Sequence, residues 1–164
     1  MIDMMNTKIF FALLFLLPLI TVQGNSQKPR FDKAAFYNAM ASDNLESINT
    51  QLNILQGTSI SEKEAYEGAM LMKKAGLMSK AKEKLSLFKT GRLKLEAAIK
   101  KEMANIEYHF LRLIIQEHAP KAVNYSNELE NDSLLIHTYY KTLPEVVQQA
   151  INDYSKKSKV LKPL

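Results

Sequence analysis

The run KLSLFKTGRLKLEAAIKKEMANIEYHFLRLIIQEHAP, residues 84–120, decides the fold class. In its first half Leu85, Phe88, Leu95 and Ile99, with Ala81 just upstream, fall near one stripe of a helix. Arg92 interrupts that stripe. Gly91 weakens the helix by roughly 1 kcal/mol relative to Ala, and it either bends the helix or lets a neighbour pack closely. A turn at about Glu102 to Asn105 leads into the most apolar segment, Ile106 to His118. There Ile106, Phe110, Leu113 and Ile114 form one face, and Leu111 and Ile115 widen it. A helix apolar over so much of its surface belongs at the centre of a helical domain.

Working outward, the same spacing recurs on both sides. Upstream, Asp32 caps a short helix carrying Ala35, Phe36, Ala39 and Met40, and Ser42 or Asp43 caps a second with Leu45, Ile48, Leu52 and Leu55, closed by Gly57. Ser61-Glu62-Lys63-Glu64 reads as a capping box opening a third helix. That helix carries Ala65, Ala69 and Met72, and Gly76 is its expected left-handed stop. Ser79 starts the next. Downstream, Pro120 begins a short segment around Val123 and Tyr125, and Asp132 caps a helix with Leu135, Ile136, Tyr139 and Tyr140. Thr142-Leu143-Pro144-Glu145 opens a last helix through about Tyr154. No stretch shows sustained two-residue alternation. The expectation is an all-α fold of seven or eight helices in antiparallel hairpins, stacked as a short solenoid or closed into an irregular bundle.

The first residues read differently. Lys8 precedes an uncharged apolar run, Ile9 to Val22, followed by Gln23-Gly24-Asn25-Ser26. A basic flank, a short apolar centre and small exit residues are the parts of an export signal. The run is shorter than the ~20 residues that span a bilayer, so the mature chain is expected to have no transmembrane segment. The organisation is therefore 1–24 signal peptide, 25–31 flexible lead-in, 32–157 one all-helical domain and 158–164 a basic, frayed tail. The expected location is outside the cytoplasm, periplasmic or secreted. The chain has no cysteine, which excludes disulfides, thiol catalysis and thiolate metal ligands, and packing alone must hold the domain. A formal charge of +5 and a pI near 9.3 suit anionic partners.

Two resemblances bear on this reading. Gly91, Leu95 and Ala98, followed by MANIEY, resemble the second helix of a tetratricopeptide-type hairpin running into the next repeat. Met103 stands near where such repeats often carry proline, and a strict 34-residue period is not visible elsewhere. LSLFKTGRLKLEAAIK, NIEYHFLRLIIQEHAP and NELENDS resemble an uncharacterised group of small exported bacterial proteins. That resemblance implies export and a helical fold but no activity. His109 and His118 depart from the group's usual Arg and Asn.

Chemistry-bearing motifs are scarce. His109 and His118 lie nine residues apart, off the i, i+4 spacing of a zinc helix, and His137 stands alone; no metal or other cofactor is expected. Glu107 and Glu117 flank the apolar helix, and Glu107 is expected to pair with Arg112 of a neighbour or another nearby base. No GxSxG accompanies any serine. Met70, Met72, Met78 and Met103 read as core filler. The leading functional expectation is a non-catalytic protein–protein interaction or scaffold module for a protein partner in the cell envelope. Its groove would be lined by Tyr108, Arg112 and Gln116, with the Arg112 fork binding a carboxylate. The alternative is an anion-binding face of Lys80, Lys84, Arg92 and Lys94, drawn from the lysine-rich stretch 73–101, for an anionic envelope polymer or lipid headgroups. Nucleic acid is disfavoured by export and by the lack of a recognised motif. A small hydrolase or lyase assembled only by the fold is the third reading.

Overall fold

The computed structural model describes residues 30–163; the expected export signal and most of the expected lead-in lie outside them. Seven α-helices follow one another: α1 Lys33–Ala41, α2 Leu45–Gln56, α3 Lys63–Leu77, α4 Ala81–Lys101, α5 Ile106–His118, α6 Leu129–Tyr139 and α7 Glu145–Ser155. Two short 3-10 turns, Lys121–Val123 and Tyr140–Thr142, join the later helices. The fold is an all-α bundle of helical hairpins. No helix among the described residues is long and apolar enough to cross a membrane.

Asp32 does cap α1, accepting the Ala35 N–H at 2.8 Å. Most other start and stop signals act differently from expectation. Asn44, not Ser42 or Asp43, caps α2 through the Ser47 N–H. The Ser61–Glu64 box does not form, because the Ser61 hydroxyl donates to Glu62 and no side chain caps α3. Gly76 lies inside α3, which runs to Leu77, and no described glycine has a positive φ. Likewise no side chain caps α4 or α7, and Thr142 instead donates to the Tyr139 carbonyl. Where no side chain caps the helix, its stability must come from packing of its apolar face, which local propensity alone does not supply.

α3 and α4 form the tightest pair. A Cβ built on Gly68 would stand 2.7 Å from the Gly91 carbonyl oxygen and 2.7 Å from the Leu95 nitrogen. One built on Gly91 would stand 2.5 Å from the Gly68 carbonyl oxygen. The two glycines thus bring backbone onto backbone, and α4 continues unbroken through Gly91. Close approach, not a bend, is what Gly91 provides.

α5 is the centre, with ten of its thirteen residues buried. The Phe110 ring lies 5.8 Å from Tyr37 of α1 and 5.9 Å from Tyr154 of α7, in aromatic packing range. α7 also packs directly on α1, so the first and last described helices meet. The first part of the tail, residues 158–161, is held against the bundle. Leu161 is fully buried, the Ser158 hydroxyl and Lys159 N–H donate to Glu117, and Ser133 donates to the Val160 carbonyl.

Candidate functional site

Helical spacing on α5 places His109 and Arg112 one turn apart on the side facing α6. Asp132, fully buried in the first turn of α6, comes between them. Arg112 Nε donates to Asp132 Oδ2 at 2.8 Å and Nη2 to Oδ1 at 2.7 Å, a two-pronged charged pair. Arg112 Nη1 also reaches Glu96 of α4 at 3.2 Å. His109 Nδ1 lies 2.7 Å from Asp132 Oδ1, and Nε2 lies 2.8 Å from the Met103 carbonyl oxygen. Arg112 Nη2 also stands 3.4 Å from Nδ1, but the two shorter contacts are to acceptors, and satisfying both takes an N–H on each ring nitrogen, the imidazolium form. Burial works against that charge, but hydrogen bonds to Asp132 and the Met103 carbonyl raise the His109 pKa above the ordinary histidine value. Asp132 is therefore the carboxylate shared by both cations, with Glu96 and Glu128 beside Arg112, and not the helix cap expected of it.

This arrangement occupies the fork that would have gripped a partner's carboxylate. Arg112 and Gln116 do converge with Arg92, Glu96, Tyr125 and Glu128 around a polar hollow of about 190 Å³. Gln116 is buried there, its amide oxygen accepting the Glu128 N–H at 3.2 Å. Tyr108 is elsewhere, 1% exposed, with its hydroxyl turned toward Glu102. The three residues do not line one groove.

Glu107 and Glu117 are structural acceptors as well. Glu107 is buried and takes Lys33 at 2.8 Å and the hydroxyls of Tyr37 and Tyr66, each at 2.8 Å, joining α1, α3 and α5. Its partner is Lys33, not Arg112. Burial and the Glu107 charge push both phenols well above their ordinary range. Burial tends to raise the pKa of Glu117. Donors from Ser158, the Lys159 N–H and Tyr154 outweigh it and hold the carboxyl low. His137 is exposed, and His118 bonds to the Ile114 carbonyl at 3.0 Å. Among the described residues no cluster of three or more His, Asp or Glu is placed to hold a metal.

The expected anion-binding face divides. Lys94 is drawn to Glu64 at 2.8 Å and Glu67 at 3.2 Å. The Arg92 guanidinium lies 4.5 Å above the Tyr125 ring. Lys80 and Lys84 remain exposed. Met70 and Met72 fill the core as expected, whereas Met103 is 73% exposed.

The feature no motif announced is an apolar cleft of about 620 Å³. Its walls come from α1 (Tyr37, Met40), α3 (Met72, Leu77), the start of α4 (Leu85, Phe88), the end of α5 (Phe110, Ile114, Ile115) and α7 (Ala150, Tyr154). Asp43, Lys73, Lys84, His118, Asp153 and Lys157 bring the charge to its lining. Four of these walls, α1, α3, α4 and α5, are legible as apolar stripes. Their convergence with a gap between them depends on the long-range course of the chain. No protein-family model, curated protein or solved structure shows a significant match to this chain.

Proposed function

We propose that this chain is an exported, non-catalytic binding module whose ligand site is the apolar cleft. The observation that carries the reading is the cleft itself: about 620 Å³ of open space walled by five helices and lined by Met, Leu, Ile and Phe. Its volume falls within the ~300–1,000 Å³ typical of small-molecule sites. The interaction surface thereby moves from Tyr108, Arg112 and Gln116 to the part of α5 that carries Phe110, Ile114 and Ile115. The charged residues around α5 are committed to one another, which supports a structural role for them. Export rests on Lys8, the apolar run Ile9 to Val22 and the small residues after it.

A polarity-sensitive neutral fluorophore titrated into the purified chain tests this reading. Saturable enhancement is expected, and Leu85→Glu should weaken it at least tenfold by placing a carboxylate against apolar contacts. Leu85 is 46% exposed, so that substitution leaves the core intact. Enhancement of equal size and affinity in both chains would overturn the proposal.

A further inference from the structure

Resting on the cleft as the ligand site, we infer that its occupant is a single-chain anionic amphiphile, an alkyl chain of roughly fourteen to eighteen carbons ending in a carboxylate. Size supports the chain. At roughly 30 Å³ per methylene, about a water molecule's share of liquid volume, a sixteen-carbon chain needs some 500 Å³, within the cleft's 620 Å³.

Charge supports the headgroup. Lysines reach the cleft from three helices or their ends: Lys73 of α3, Lys84 of α4 and Lys157 just after α7. Against them stand Asp43 and Asp153. Asp43 is taken up by Lys73 at 2.9 Å, and its carboxyl, held low by that bond, also feels Lys157 and His118. Asp153 is taken up by Lys156 at 2.6 Å, from outside the lining. Both acids are thus neutralised, while Lys84 and Lys157 form no ion pair among the described residues. Cations remain in excess beside an apolar interior. That pairing discriminates between amphiphiles: an acidic head is attracted, a neutral one is indifferent, and a cationic one is repelled.

The experiment displaces the neutral fluorophore from the full chain with dodecanoate, tetradecanoate and hexadecanoate below their micellar concentrations, and with hexadecanol as the uncharged control. Affinity should rise roughly tenfold or more for each two carbons added. Hexadecanoate should bind up to about fivefold tighter per engaged lysine than hexadecanol. Lys84→Gln/Lys157→Gln should abolish that preference without altering fluorophore binding, and salt should erode it in the wild type. Fluorophore binding with no displacement by any carboxylate overturns this inference and leaves the cleft reading standing. Equal affinity for acid and alcohol overturns the headgroup assignment. Tighter displacement by an acidic amphipathic helical peptide, or loss of fluorophore sites as the chain dimerises, assigns the cleft to a protein partner or a second copy and overturns it too. Absence of fluorophore binding removes the cleft reading itself.

Discussion

Asp132→Asn is the sharpest probe of how this bundle is held. The substitution keeps the shape but removes the charge that accepts bonds from Arg112 Nε, Arg112 Nη2 and His109 Nδ1, at 2.8, 2.7 and 2.7 Å. The new amide group also turns a donor toward groups that already donate. Asp132 is fully buried, and the Arg112 and His109 side chains are only 8% and 7% exposed, so water cannot replace what is lost. Removing one member of such a buried cluster costs about 3–5 kcal/mol. For a domain of this size that lowers Tm by about 10–20 °C.

The pH dependence separates charge from packing. The folded-state pKa of His109 lies above its unfolded value. Its stabilisation is therefore complete below the unfolded value, near ~6.5, and is lost as pH rises through the raised folded value. Urea unfolding followed by helical circular dichroism at several pH values should show wild-type stability falling above neutrality. Asp132→Asn should show little of that fall, since its histidine has lost the anion. A cost below about 1 kcal/mol, or identical pH slopes for the two chains, would refute the reasoning.

Gly68→Ala and Gly91→Ala should each destabilise by about 1–3 kcal/mol in thermal unfolding. The new methyl meets backbone at 2.7 and 2.5 Å respectively, which outweighs the ~1 kcal/mol gain in helix propensity. Glu107→Gln should cost about 1–3 kcal/mol, because Lys33 loses its charge partner while the Tyr37 and Tyr66 hydroxyls keep an acceptor. In alkaline absorbance titration of the wild type, those two phenols should ionise only with unfolding. Deleting residues 158–164 should cost about 2–5 kcal/mol, since it empties the Leu161 site. With the tail present the Glu117 carboxyl is held low, so its contribution is complete above the usual carboxylate pKa and lost as pH falls. The truncated chain should therefore lose less stability on acidification.

What was legible in the chain was whatever short-range periodicity encodes. Phe110, Leu111 and Leu113 were apolar at helical spacing, and α5 is the centre; Phe36 and Met40 were on one stripe, and α1 buries it. Residues with two competing uses misled. Asp132 near the start of a helix reads as a cap, yet it lies fully buried against α5. Arg112 reads as a free fork because its partner is twenty residues away and on another helix. Gly68 drew no notice beside Gly91, because only their contact across the hairpin gives either one a purpose. The cleft's walls carried stripes, but the gap between them had no local signal, since it depends on how distant helices converge.

The meeting of α1 with α7, bridged by Phe110 between Tyr37 and Tyr154, bears on how such a chain can evolve. An open stack of hairpins lengthens by tandem duplication, because each end offers a face for another unit. Here the first and last described helices, α1 and α7, pack on one another, and a hairpin inserted between them would have to separate that contact before it could dock.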